Sequence, residues 1–373
     1  MLLSHFPMLA AILLPLAAAQ LTLPGLPLAN ITQAAQELAL QTEQYVAGVP
    51  LALAISVINK LCSNVVATGI IQSQVQPNVS RMHFQLRNNC HRDSFPLLAA
   101  EEMWRSPNFD PKKKVVILAT GWTTNINNSE AIDAFEKAYN CRGDVNFVAL
   151  DVARFIDTLY VWSALNTEII GEYLARGLIH LSHIVPIERV HLIGHSLGAH
   201  IVGSAGRHYQ ELTNSSLRRI TGLDPAKPCF NEGEVLSGLL RGDAAFIDII
   251  HSSPGVVGQR GPLGDVDFYP GGLGPIAPGC LALDLDCSHE RAWQYFEESI
   301  YPGNEDNFLA VRCRSLSSLR EGKCPGMAYP MGYSTPMSIK GDYMLDVNSR
   351  RPYGQNAGEG SIDVVGTTCG RCE

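Results

Sequence analysis

The stretch Val190-His191-Leu192-Ile193-Gly194-His195-Ser196-Leu197-Gly198-Ala199-His200 decides how the chain reads. An apolar run enters a G-x-S-x-G turn, and small residues carry on from it. Such a turn lifts a serine hydroxyl above a sheet on a strained strand-to-helix bend, and a Cβ at either flanking position would collide with neighbouring backbone. Gly194 and Gly198 fill those positions around Ser196. Beyond the turn, Gly198, Ala199, Val202, Gly203 and Gly206 recur at spacings of three and four, which gives a helix a slim face for close packing on the sheet. Strand, turn and slim helix together predict a nucleophile elbow.

Outward from the elbow the pattern alternates. Arg81 to Leu86, Val115 to Ala119, Val145 to Val152, Val190 to Ile193, Arg219 to Leu223 and Phe246 to Ile250 read as strands, and Thr167 to Ile184 and Leu197 to Gln210 as helices. Strands alternating with helices imply a central, mostly parallel sheet covered on both faces, with active groups at the carboxyl ends of the strands. That is the α/β layout of the α/β-hydrolase fold.

The 373 residues, 46% of them hydrophobic, suffice for a substantial core. The net charge of −8 and a single basic cluster, Lys112 to Lys114 at the entrance to a strand, argue against a nucleic-acid partner. An apolar run from Met8 to Ala19, ending in Ala17-Ala18-Ala19, reads as a signal peptide over residues 1–19; it is too short to anchor the chain across a bilayer. Sequons at Asn30, Asn78, Asn127 and Asn214 are glycosylation candidates, and ten cysteines suit disulfides in an oxidising compartment. A secreted, extracellular protein is expected. Residues 20–75 form an N-terminal extension of unassigned role, with a helix expected over Ile31 to Tyr45 and an apolar run over Val46 to Ile58. The catalytic domain is expected over 76–345 and a tail over 346–373.

A serine hydroxyl becomes a nucleophile when a histidine takes its proton, and that histidine needs a carboxylate to hold its tautomer. Asp224 follows the strand Arg219 to Leu223 and is halted by Pro225, which favours it as the acid over Asp243, before a strand, and Asp248, within one. For the base, His289 lies in Cys287-Ser288-His289-Glu290, a cysteine-tethered loop opening a helix that Ser288 is placed to cap; His251, at the end of a strand, is its competitor. His195 and His200 do not point at the serine hydroxyl from their positions in the elbow and helix. Two backbone N–H groups must also meet the developing oxyanion. Leu197 supplies one, and Trp122, in the turn Thr120-Gly121-Trp122 after a strand, is the candidate for the other. This chemistry calls for no cofactor.

With Gly194-His195-Ser196-Leu197-Gly198-Ala199-His200, Gly222-Leu223-Asp224-Pro225-Ala226, Asp267-Phe268-Tyr269-Pro270, Pro278-Gly279-Cys280 and Cys287-Ser288-His289 in view, the chain resembles the pancreatic lipase family over about residues 80 to 345. The resemblance implies a triad of Ser196, Asp224 and His289 and a secreted carboxylic ester hydrolase acting on lipid substrates. It also implies a lid bridged by Cys280 and Cys287, and a further bridge between Cys313 and Cys324. Cys62, Cys90, Cys141, Cys229, Cys369 and Cys372 remain, with fifteen possible connectivities.

Departures from the family pattern set further expectations. No C-terminal β-sandwich domain follows the catalytic domain, so no colipase partner is expected. The lid is only Leu281 to Asp286 and the facing loop, His251 to Asp267, is abbreviated, which resembles venom phospholipases A1 and leaves the site open to a polar head group. Thr120 stands where many relatives carry histidine. Glu232, Glu234 and Asp243 lie in the region of the family's calcium loop among apolar residues, and no metal is expected there. Phospholipid, acylglycerol and galactolipid remain open as substrates. A lipid-binding or yolk-type homologue without catalysis is the alternative, against which Ser196, Asp224 and His289 all stand.

Overall fold

A computed structural model of the protein describes residues 51–68, 76–281 and 284–372. The expected signal peptide, the helix over Ile31 to Tyr45, Asn30 and two lid residues, 282 and 283, lie outside them.

Eleven strands form one sheet: β1 (His83–Asn88), β2 (His91–Pro96), β3 (Lys114–Ala119), β4 (Val145–Asp151), β5 (Val190–His195), β6 (Arg219–Leu223), β7 (Ile247–Ile250), β8 (Val266–Pro270), β9 (Leu309–Arg312), β10 (Ala328–Pro330) and β11 (Gly341–Leu345). Their order is β10-β9-β11-β8-β7-β6-β5-β3-β4-β1-β2. From β11 to β4 every neighbouring pair is parallel, and β1, β2, β9 and β10 flank that centre in antiparallel pairing.

Strand periodicity sorts the core into two layers. Ile117, Leu192, Ile220 and Ile249 face α3 (Tyr160–Leu181) and α4 (Leu197–Thr213), where Ile170, Leu174, Leu178 and Ile201 meet them. Their chain neighbours Val116, Leu118, Ile193 and Ile250 face the other way. There Phe135 of α2 (Glu130–Arg142) and Phe296 of α5 (Leu285–Ile300) stack 5.8 Å apart, ring centre to ring centre. The α/β-hydrolase architecture read from the alternation is therefore present, with helices on both faces. The helix expected from Thr167 begins at Tyr160, because burial of Trp162, Ser163 and Ala164 outweighs the weak helical propensity of that first stretch.

The slim face of α4 does two jobs. A Cβ on Gly198 would strike the backbone carbonyl of Ala119 at the end of β3, so this glycine lets helix and sheet meet. Gly203 faces Leu239 and Asp243, and Gly206 faces the backbone of Asp243 together with Ile220 of β6, so the outer part of that face receives a loop as well as the sheet.

Part of the segment set apart as an extension packs on the domain. In α1 (Leu51–Thr68), Ile58 and Cys62 join a cluster with Trp122, Tyr160, Leu197 and Phe230, and Cys62 is bonded to Cys229. The tail is held too: Cys90 pairs with Cys372 and Cys141 with Cys369, while Glu298 of α5 accepts the Tyr353 and Gly354 N–H groups, each at 2.9 Å. Cys280 pairs with Cys287 and Cys313 with Cys324. No helix among the described residues is long and apolar enough to cross a membrane.

Candidate active site

Ser196 stands between β5 and α4 with φ 57° and ψ −123°, a left-handed backbone that only a tightly packed turn enforces. The packing is visible at the two glycines. A Cβ on Gly194 would lie 2.5 Å from the Ala199 Cα, and one on Gly198 would overlap the strand beside it. The serine backbone is tied to the neighbouring strand as well: its N–H donates to the Leu223 carbonyl (3.0 Å), and its carbonyl accepts from Ala226 (3.3 Å). Those two residues bracket Asp224, so elbow and acid are fixed to one another through backbone.

Asp224 is fully buried and accepts four hydrogen bonds. His289 Nδ1 donates to Oδ2 at 2.6 Å, the Ser252 and Ser253 N–H groups donate to Oδ1 at 2.9 and 3.0 Å, and the Ser253 hydroxyl donates to Oδ2. Burial by itself would raise the carboxyl; the bond to His289, that histidine's charge, and the Ser253 hydroxyl and N–H outweigh it and hold Asp224 below its ordinary value. A carboxylate so held fixes the imidazole with its Nδ1 protonated. The far nitrogen, Nε2, is then an acceptor, and it is buried without a hydrogen-bond partner. Nothing else in the described core offers a histidine with one nitrogen held by a carboxylate and the other free beside the elbow.

His289 is the fifth residue of α5 rather than a loop residue. Asp284, not Ser288, caps that helix, accepting from the Cys287 N–H at 3.0 Å; the Ser288 hydroxyl is buried and accepts from the Ala277 N–H at 3.1 Å. Asp284 wins because the chain enters the helix one turn earlier than the sequence suggests. His195 packs its ring 4.7 Å from that of His289 and bonds the His289 carbonyl through Nε2 at 3.2 Å. Burial, then the neighbouring His289, lowers His195 to about 3, so it is a neutral spacer.

The competing residues have other partners. His251 is enclosed, stacked 4.4 Å from the Tyr269 ring, with Nδ1 on the Gln259 carbonyl and Nε2 on Asp267 Oδ1, each at 2.9 Å. Both acceptors require N–H donors, which makes this ring a buried imidazolium paired with Asp267. Burial opposes that charge, but the bond and charge of Asp267 raise His251 above its ordinary value. Asp248 forms a two-point pair with Arg219 at 2.8 Å, and Asp243 meets Arg207 at 2.8 Å. His200 lies on the Phe230 ring, 3.8 Å away, and spans the Ala226 carbonyl and Leu239 N–H.

Above the serine runs the turn after β3. A Cβ on Gly121 would sit 2.6 Å from the Ser196 Cβ and 3.1 Å from its Oγ, so this backbone passes directly over the hydroxyl. The Trp122 indole is anchored away from the site, donating to the Thr158 carbonyl at 2.7 Å and meeting Tyr160 edge-on. Among the described residues neither the Trp122 nor the Leu197 N–H donates to a protein acceptor. The latter is the first N–H of its helix, one of those left open by helix geometry. One open N–H follows the serine in the chain, another belongs to the turn that crosses it, and the buried, unpartnered nitrogen belongs to a histidine packed on the residue before the serine: an arrangement suited to acyl transfer.

Glu232, Glu234 and Asp243 do not converge. Glu232 accepts from the Arg260 and Gly261 N–H groups, Glu234 from Asn59, and Asp243 from Arg207 and Leu240. Asp224 and His289, expected from the sequence beside Ser196, are in contact, whereas Ser252 and Ser253, which hold Asp224, went unread in the sequence, their only signal being a position just beyond the strand beside that of the acid.

The family model described as Lipase matches residues 56–353. Vitellogenin-3 of Drosophila melanogaster is 38% identical over 62% of this chain and 54% of its own, and rat lipoprotein lipase is 36% identical over 58% and 50%. Vitellogenin-2 of Ceratitis capitata is 30% identical over 68% of each. The chain thus spans about half the length of the first two relatives.

Proposed function

The chain belongs to the lipase family, and from that premise we propose that it is a secreted serine hydrolase cleaving the acyl esters of lipids. Ser196 is the nucleophile, His289 the base and Asp224 its orienter. His289 Nε2 takes the Ser196 hydroxyl proton as Oγ attacks the ester carbonyl. The Trp122 and Leu197 N–H groups hold the oxyanion, each worth about 3 kcal/mol. Collapse expels the alcohol, which takes the proton from His289, and water attacks the acyl enzyme by the reverse route. The observation that carries the reading is the His289 ring, held by Asp224 at 2.6 Å with its other nitrogen buried and open.

The short Cys280–Cys287 loop supports a phospholipase A1-like preference, because it leaves room for a polar head group at the mouth. Leu281, 76% exposed on that loop, offers an apolar contact to a lipid surface. The exposed sequons at Asn78, Asn127 and Asn214 suit a secreted glycoprotein. A second reading, a yolk-type binding protein without catalysis, is favoured by the vitellogenin relatives. Acyl release from matched phospholipid and triacylglycerol emulsions, with Ser196→Ala as control, tests both. Serine-dependent release mainly from phospholipid is expected. Release mainly from triacylglycerol overturns the head-group preference, and no release from either leaves the binding reading.

A further inference from the structure

Remote from the elbow, three side chains meet where the end of α3 crosses the 3-10 segment Leu97–Arg105: Glu101, His180 and His183. One ligand atom from each lies within 4.8 Å of the others, and no other group of three or more histidine, cysteine or carboxylate side chains comes so close among the described residues. His180 Nδ1 already donates to Glu101 Oε2 at 2.9 Å, and the His183 ring stands edge-on to that of His180 at 6.0 Å.

The scaffold beneath this group is closely packed. Gly177, one turn before His180, brings α3 against the 3-10 segment: a Cβ there would lie 3.1 Å from Leu97 Cγ and 3.1 Å from the Phe84 ring. Leu97, Ala100 and Met103 are buried on one side of the contact and Leu178 and Leu181 on the other. Packing thus sets the positions of Glu101 and His180. His183 follows in the turn just past the helix, where its N–H donates to the His180 carbonyl at 3.2 Å and brings the ring to the same side, on an exposed position where its rotamer adjusts freely. Nearby charges are already matched, with Arg105 on Glu102 and Arg176 on Glu172, so no cation competes for Glu101.

We propose that Glu101, His180 and His183 form a surface site for a first-row divalent metal, zinc above all. Two imidazoles and one carboxylate are a borderline-soft donor set that suits zinc and not calcium or magnesium, which take oxygen. Ligand bonds of about 2.0–2.2 Å require the three atoms to close by roughly an ångström, a movement within reach of the exposed His183 ring. Water fills the fourth position. The metal staples the end of α3 to the 3-10 segment, and it binds the folded chain alone, because these elements are far apart in an unfolded one.

The test is calorimetric titration of zinc into the untagged full-length protein after chelator dialysis, with melting followed in parallel. One saturable site is expected, accompanied by a rise in melting temperature. His183→Ala should weaken binding about tenfold or more and abolish the rise. His183 is exposed, so its loss leaves the core intact, and Glu101→Gln gives a second deletion of one ligand. His208→Ala, removing a histidine that meets only Glu168 and Glu211, should bind as the parent does. Calcium should not compete. No saturable binding, or zinc binding that survives both His183→Ala and Glu101→Gln, overturns the proposal.

Discussion

Gly121→Ala puts the oxyanion geometry to a sharp test. The added methyl would sit 2.6 Å from the Ser196 Cβ and 3.1 Å from Oγ. Comfortable carbon–carbon contact begins near 3.5 Å, so the turn and the serine must part by about 1 Å. The serine cannot yield easily, since its backbone is bonded to Leu223 and Ala226 and wedged between Gly194 and Gly198. The turn therefore moves and takes the Trp122 N–H with it. Losing one oxyanion donor costs roughly 3–4 kcal/mol of transition-state stabilisation, or about 10²- to 10³-fold in kcat. Ground-state binding should change little. The assay is hydrolysis of a soluble p-nitrophenyl ester, with kcat and KM resolved and melting followed as a fold control. Gly274→Ala, at a glycine with open space around it, should behave as the parent. A folded Gly121→Ala enzyme with undiminished kcat refutes the reasoning.

Three further expectations follow from the same geometry. Asp224→Asn should lower kcat by roughly four orders of magnitude, through loss of the Nδ1-protonated tautomer, with near-normal lipid binding in a flotation assay; activity within tenfold of the parent would remove Asp224 from the mechanism. Asp267→Asn leaves the enclosed His251 charge without its partner and should cost about 3–5 kcal/mol in urea unfolding, whereas a change under 1 kcal/mol would mean that the pair contributes nothing. Burial holds His200 down to about 4 against an ordinary value near 6.5, so its contribution to stability is full above 6.5 and is lost as the pH falls toward 4. Between pH 7 and 5 the His200→Gln variant should therefore lose about 2 kcal/mol less than the parent, and equal losses would contradict the assignment.

Much of this was legible in the chain because the decisive constraints are local. A serine flanked by Gly194 and Gly198 needs glycine for reasons confined to a few residues, and the apolar run before it needs only its neighbours in the sheet. Asp224 was legible for the same reason, standing between a strand and a proline. What escaped depends on groups far apart in sequence. The sequence favours His289 over His251 by position, but the reason His251 is spoken for, that Gln259 and Asp267 occupy both of its nitrogens, is visible only in the fold. The Ser252 and Ser253 contacts to Asp224 carry no motif, and the pairing of Cys62 with Cys229 across 167 residues is a product of the fold. Strands β2 and β8 to β11 were missed: β2 is a largely exposed polar strand at the sheet edge, and Asp267, buried in β8, breaks the apolar pattern that marks an inner strand. The cap of α5 was misplaced by one turn for a similar reason: Asp284 and Ser288 are both good caps, and only the path out of Cys280 selects between them.

The central claim is that Ser196 is an activated nucleophile. The most direct measurement is labelling of the full-length protein with a fluorophosphonate, followed by mass mapping of the adduct. One adduct on the peptide holding Ser196 is expected, formed far more slowly in His289→Ala and absent in Ser196→Ala. A folded protein that takes no label, or that is labelled equally fast without His289, would contradict the account.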